Sequence, residues 1–281
     1  MTDDSALRVE GLVARYGEQT ILDGVDLTVA RGEIRAILGG SGGGKTTLLK
    51  HCIGLLTPAA GKVLVLGQPL HQLEGAERVA LLRRIGVLFQ SGALLGSITV
   101  GENIALPLRE HTDLSEEVIH EVVGLKLAAV ELSRAENLLP SELSGGMRKR
   151  AALARAMALD PPLLFCDEPS AGLDPLNSSE IDELILRLRD RFGMAIVVVT
   201  HELMSIERIA ERATMLFGGK VIADGTLAEV KATDHSEIHS FFQRSAAGEM
   251  RGPASALDVL RVASRGGSSD FARQGGDGPT E

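Results

Sequence analysis

The chain has 281 residues, with 29 basic and 38 acidic side chains and a formal charge of −9. That acidity argues against a nucleic-acid binder driven by phosphate neutralisation, and aromatic residues at 3%, with Tyr16 the single tyrosine, exclude a base-stacking surface. Apolar residues at 44% allow a large core, yet no run of about 20 apolar residues exists to span a membrane.

The N-terminus, MTDDSALRVE, is acidic and does not resemble a secretion signal. Ala6 to Tyr16 roughly alternates and reads as a strand, and a short strand follows at Val25 to Val29. IRAIL (Ile34 to Leu38) is short and apolar, as a buried strand should be, and runs straight into GGSGGGKTT. LLKHCIGLL then looks helical until Pro58, and Lys62 to Leu66 and Ile85 to Phe89 are further strands. Residues 91–158 change character and read as a mostly helical insertion. Within it one helix is N-capped by Ser115, and another is expected from Ser144 through Leu159.

Strands and helices alternate again after that: LLFC (Leu163 to Cys166), a helix face at Ile181, Leu184, Ile185, Leu188 and Phe192, then AIVVVT (Ala195 to Thr200). Thr214 to Phe217 and Lys220 to Ala223 form a hairpin about Gly218-Gly219. The pattern implies an α/β fold with a largely parallel sheet and ligands at its C-terminal edge. Residues 5–244 are expected to form the folded domain and the Gly- and Ser-rich 245–281 a flexible tail, with Ala256 to Ala263 a candidate short helix in it. Cys52 and Cys166 sit among apolar residues and read as buried thiols.

Gly39-Gly40-Ser41-Gly42-Gly43-Gly44-Lys45-Thr46, followed by Thr47, fits a phosphate-binding loop. Backbone N–H groups must converge on the phosphates there, and side chains would block their approach. Lys45 adds a point charge, Thr46 offers a hydroxyl to Mg²⁺, and the next helix aims its N-terminal dipole at the anion. Asp167 and Glu168 leave a buried strand together, which is unfavourable unless they serve a cation. Asp167 suits the Mg²⁺ shell and Glu168 the activation of a water.

These motifs, with Gln90, LSGGM (Leu143 to Met147), SAGLD (Ser170 to Asp174) and His201 in that order, resemble the ATPase subunit of an ABC transporter from about Leu7 to Arg244. The resemblance implies an ABC-type ATPase core with an N-terminal antiparallel β subdomain, a helical signature subdomain, and ATP and Mg²⁺ as ligands. It implies that Tyr16 stacks on adenine, that Gln90 senses Mg²⁺ and the attacking water, and that Glu168 is the general base. It further implies that Asp174 lies at the seam of a head-to-tail homodimer and that His201 contacts the γ-phosphate. Ser144, Gly145 and Gly146 would cap the γ-phosphate bound by the other subunit. Met147 stands where many members carry Gln, which removes one polar side chain near the nucleotide.

Ile85 to Ser115 and Ser144 to Pro175 are closely similar to the bacterial Mla/Mce lipid-transport ATPases. That likeness implies an MlaE-type permease docking near Ser91–Val100, a periplasmic MCE-domain lipid-binding partner, and a place on the cytoplasmic side of the inner membrane. Two other readings stay open: an importer ATPase for another solute, and a soluble ABC protein without a transporter.

Overall fold

Residues 5–40 and 42–250 are described by the structure, a computed structural model, with side chains through 243. Ser41 and the candidate helix at Ala256 to Ala263 lie outside the described residues. The chain runs through β1 (Ser5–Tyr16), β2 (Gln19–Ala30), β3 (Ile34–Leu38), α1 (Lys45–Cys52), β4 (Ala60–Val65) and β5 (Gln68–Pro69). It continues with α2 (Gly75–Leu82), β6 (Ile85–Leu88), α3 (Val100–His111), α4 (Glu116–Ala129), α5 (Gly145–Ala156) and β7 (Leu163–Asp167). Then come α6 (Pro175–Phe192), β8 (Ala195–Val199), α7 (Leu203–Ile209), β9 (Arg212–Phe217), β10 (Lys220–Thr226), α8 (Leu227–Ala232) and α9 (Ser236–Met250).

Alternation in β1 and β2 leaves one face apolar and the other wet, so these strands pair antiparallel with β4 and β5 in a four-stranded sheet ordered β2-β1-β4-β5. The short, mainly apolar runs go elsewhere. β3, β7 and β8 lie inside a six-stranded sheet ordered β10-β9-β3-β8-β7-β6, parallel except for the β9–β10 hairpin. Burial on both faces explains their composition. On β7, Leu163 and Phe165 enter a core shared with β1, β2 and α1, while Leu164 and Cys166 face a second core built with α3 to α6. Arg35 breaks the apolar run of β3 and is only 3% exposed. Its guanidinium is satisfied by Glu33 (2.6 Å), the Thr214 hydroxyl (3.1 Å) and Asp224.

The helical insertion expected over 91–158 holds α3, α4 and α5, whose apolar faces share the second core. α5 ends at Ala156 rather than Leu159, because Pro161 and Pro162 cannot prolong a helix and Asp160 already turns to φ 51°. α2, α3, α7, α8 and α9 are additions to what the sequence pattern alone suggests. Asn103 on α3 is completely buried and holds the preceding segment, accepting from the Leu95 N–H (2.8 Å) and donating to the carbonyls of Leu95 (3.0 Å) and Thr99 (2.9 Å). The expected boundary at 244/245 falls inside α9. Cys52 and Cys166 are buried free thiols, both pushed up to about 12 by burial. Among the described residues no helix is long and apolar enough to cross a membrane.

Candidate active site

Parallel pairing puts the ends of four strands level. Ile37 lies opposite Val199, Val199 opposite Asp167, and Cys166 opposite Leu88. The segments that leave these ends therefore converge at the C-terminal edge of the sheet: the glycine loop after β3, Gln90 after β6, Asp167-Glu168 at β7, and His201 after β8.

The glycine loop has the backbone that its sequence requires. Gly39 (φ 144°) and Gly44 (φ 97°) occupy conformations that L side chains rarely adopt. A β-carbon on Gly39 would stand 2.3 Å from the Leu216 carbonyl oxygen, and one on Gly44 would stand 2.6 Å from Leu22 Cδ2. At Gly40 and Gly42, by contrast, a β-carbon would meet nothing within 4 Å, so the loop is walled on one side and open on the other. Gly43 N–H closes a turn on the Gly40 carbonyl (3.1 Å), and α1 starts at Lys45. Lys45 folds back over the loop and donates to the carbonyls of Gly39 (2.8 Å) and Gly40 (3.0 Å). Burial lowers its pKa below the usual lysine value, opposed by Glu168 and Asp167. Thr46 is exposed and Thr47 half-buried on the first turn of α1.

Asp167 lies half-buried at the end of β7, and its carboxyl is raised by burial and then by Glu168 beside it. Glu168 has φ 47°, uncommon for a residue with a side chain. Its N–H donates to the Val199 carbonyl (2.8 Å), which turns the side chain over the β8 end. Glu168 Oε1 meets His201 Nδ1 at 2.8 Å, whereas Oε2 is buried with no partner. The Ser170 hydroxyl is also buried and unpartnered. A carboxylate with one oxygen fixed and one orphaned is poised to receive a ligand, because a buried polar atom left unpaired is destabilising.

Five expected residues, Ser144, Gly145, Gly146, Asp174 and Tyr16, stand outside this cluster. Ser144 N-caps α5 and spends its hydroxyl on the Met147 N–H (3.2 Å); Ser144 is exposed, Gly145 half-buried and Gly146 buried. Gly146 lies against α6, where a β-carbon on it would stand 2.8 Å from Asn177 Oδ1, and a β-carbon on Gly145 would stand 3.2 Å from Leu173 Cδ2 in the loop before α6. Met147 packs on the helical core. Asp174 caps α6 through Leu176 N–H (3.1 Å) and Asn177 N–H (3.2 Å). Tyr16 is half-exposed at the end of β1, in the hairpin whose Leu22 touches the glycine loop.

The donor set fits a nucleotide with a divalent cation. The open loop offers N–H groups and one ammonium for phosphates. Among the described residues no cluster of three or more His, Cys, Asp or Glu could hold a metal alone. A hydroxyl and one or two carboxylates completed by phosphate oxygens is how Mg²⁺ is commonly bound.

A protein-family model described as ABC transporter matches residues 22–171, and a relative is 41% identical over 259 residues. The chain belongs to the ABC transporter family. That relative is the intermembrane phospholipid transport system ATP-binding protein MlaF of Haemophilus influenzae, matched over 92% of this chain and 98% of its own. A probable ribonucleotide transport ATP-binding protein, mkl of Mycobacterium tuberculosis, is 38% identical over 84% of this chain and 66% of its own. The dimeric structure of MJ0796, a bacterial ABC transporter cassette, superposes with a TM-score of 0.72 at 32% identity, covering 79% of this chain and 98% of that one. As an ABC ATPase the chain binds and hydrolyses ATP. Two features of this ABC site escaped the sequence reading. The His201–Glu168 contact joins residues 33 positions apart, and Lys149 reaches the same edge from α5. In sequence Lys149 is one member of a basic run and gives no sign of burial.

Proposed function

We propose that this chain is the ATP-hydrolysing subunit of a bacterial envelope transporter for phospholipid. It works as a head-to-tail dimer on the cytoplasmic face of the inner membrane. The observation that carries the chemistry is the Glu168 carboxylate, with Oε1 fixed by His201 and Oε2 buried and unpartnered. Oε2 is then the atom that accepts the proton of the attacking water, while His201 keeps the carboxylate turned toward the γ-phosphate. Gly39 to Gly44, Ser41 included, cradle the phosphates with Lys45 and Thr47, and Tyr16 stacks on the adenine. Mg²⁺, held by Thr46, Asp167 and Gln90, would neutralise charge on the phosphates. Ser144, Gly145 and Gly146 close the site of the partner subunit, which the place of the exposed Ser144 at a helix N-terminus suits. Residues 5–244 serve as the ATPase domain, 91–158 as its helical subdomain, and 245–281 as a tail.

The permease docks near Ser91–Val100. Ala93 and Leu95 are exposed there, with Leu95 at 46%, whereas Leu94 and Ile98 are half-buried, so the apolar surface is narrower than the sequence suggested. An apolar groove of about 560 Å³ beside it, lined by Val79, Leu82, Val87, Leu106 and Pro107, widens the seat. The lipid substrate and an MCE-type lipid-binding partner rest on the likeness to MlaF. Likeness to mkl supports a second reading, transport of a ribonucleotide-like solute.

The complex copurified from detergent extract and reconstituted in liposomes separates the two. ATP-dependent transfer of labelled phospholipid is expected. Ribonucleotide uptake without lipid movement would favour the second reading.

A further inference from the structure

Lys149 lies on α5 between two arginines that serve the helical layer. Arg148 donates to the Leu143 carbonyl (2.6 Å), and Arg150 pairs with Glu131 (2.7 Å) and Glu180 (2.6 Å). Lys149 is turned the other way. It is 7% exposed, and its ammonium donates to the carbonyl oxygens of Gln90 (2.6 Å) and Glu168 (2.9 Å). Among the described residues no carboxylate stands within ion-pair distance of it. A buried ammonium without a carboxylate partner is a poor way merely to fill space, because an apolar side chain would pack there without desolvating a charge.

The two carbonyls belong to the residues that leave β6 and β7 at the active edge. Further along α5, Arg155 donates to the carbonyls of Ala93 (2.7 Å) and Gly92 (3.2 Å). Lys149 and Arg155 together bind the segment 90–93 to α5, and a β-carbon on Gly92 would stand 3.3 Å from Ala152 Cβ. Lys149 extends this body to Glu168. The Glu168 backbone, in its left-handed conformation, is thereby held from both sides, its N–H by Val199 and its carbonyl by Lys149 together with the Ala171 N–H (3.2 Å), which fixes the local turn but not its place against α5.

We propose that Lys149 is a positioning residue for ATP hydrolysis: its ammonium ties the Glu168 carbonyl to Gln90 and α5, so that the stance of the signature helix sets the aim of the Glu168 carboxylate. Ser144 caps the same helix, so a nucleotide seated there acts on Glu168 of its own chain through Lys149. The proposal rests on the reading of Glu168 as the general base.

Lys149→Met, Lys149→Arg and Glu168→Gln, each in the complex with its membrane partners, are compared for kcat, KM and equilibrium ATP affinity. Lys149→Met should lower kcat about tenfold or more with KM and ATP affinity within about twofold, the signature of a loss confined to the chemical step. Lys149→Arg, whose planar fork can donate to both carbonyls, should recover about a third of the wild-type kcat or more. If the Met variant does not accumulate folded, Lys149→Leu, which also lacks a donor, is read by the same criteria. A kcat within about twofold of wild type in Lys149→Met, beside an inactive Glu168→Gln, overturns the positioning role and leaves the base standing. Parallel loss of kcat and ATP affinity without recovery by Arg marks a merely structural lysine and also overturns it. Activity in Glu168→Gln removes the base itself, and the positioning role with it.

Discussion

Replacing Asn103 should detach the segment that precedes α3. The side chain is completely buried and makes three sound hydrogen bonds, at 2.8, 2.9 and 3.0 Å, and a weaker one to the Ile98 carbonyl at 3.4 Å. Asn103→Leu keeps the shape and removes all of them. At about 1 kcal/mol net for each sound bond, the loss is about 3 kcal/mol. Leu95 is partly exposed, so water can reach its freed backbone groups and no large further penalty is added. For a chain of this size that corresponds to a fall in Tm of about 6 to 12 °C. Asn103→Asp retains the acceptor for Leu95 N–H but turns a carboxylate toward the carbonyls of Leu95 and Thr99. It should therefore be worse than Leu at neutral pH and improve on acidification. Urea unfolding gives the free energy, and limited proteolysis between 91 and 99 reports the local release. A loss below about 0.5 kcal/mol with unchanged proteolysis would refute the reasoning.

Gly39→Ala should impair ATP binding at least about tenfold in a calorimetric titration, because its β-carbon would stand 2.3 Å from a backbone oxygen and the loop must shift. Gly40→Ala, with nothing within 4 Å, should leave thermal stability unchanged. Asp182 is 2% exposed, accepts from the Ser205 hydroxyl, and has its carboxyl pushed up to about 6 by burial. Folding therefore favours its protonated form: its contribution is fully present below the unfolded pKa of about 4 and is lost as pH rises through about 6. Asp182→Asn should accordingly stabilise by about 3 kcal/mol at pH 8 and by less than about 1 kcal/mol at pH 4, as read from denaturant curves at the two pH values. Leu95→Asp should leave folding and ATP affinity intact yet abolish copurification with the permease; a complex that still assembles and transports would move the docking surface elsewhere.

The sequence disclosed what depends on local pattern. The buried strands β7 and β8 are apolar on both faces up to Asp167, β3 is apolar but for Arg35, and the glycine loop between a strand and a helix carries its own backbone requirement. Ser144 and Ser115 each precede helical spacing and cap α5 and α4 as expected. α3 was hidden because Pro107 interrupts its pattern and the uncharged stretch Ser91 to Val100, which reads as a surface patch, runs into its first residue. α2 has one fully buried apolar residue, Leu81, and hence almost no periodic signal. The buried charges Arg35 and Lys149 were illegible for a different reason. Their partners are 2 to 189 residues away for Arg35, and 19 and 59 away for Lys149. Apart from Glu33, only the sheet order and the packing of α5 on its edge make those groups neighbours. Glu168 was legible as a carboxylate near phosphate, but the division of labour between its two oxygens required the position of His201.

The measurement closest to the central claim is the mass of the Glu168→Gln protein in sedimentation, with and without Mg²⁺ and ATP. An ATP-hydrolysing subunit whose site is completed by Ser144 of its partner should shift to a dimer holding one unhydrolysed ATP per chain, and return to monomer when Ser144→Arg is added. A protein that stays monomeric with ATP bound, or hydrolyses it at the wild-type rate, would contradict the account.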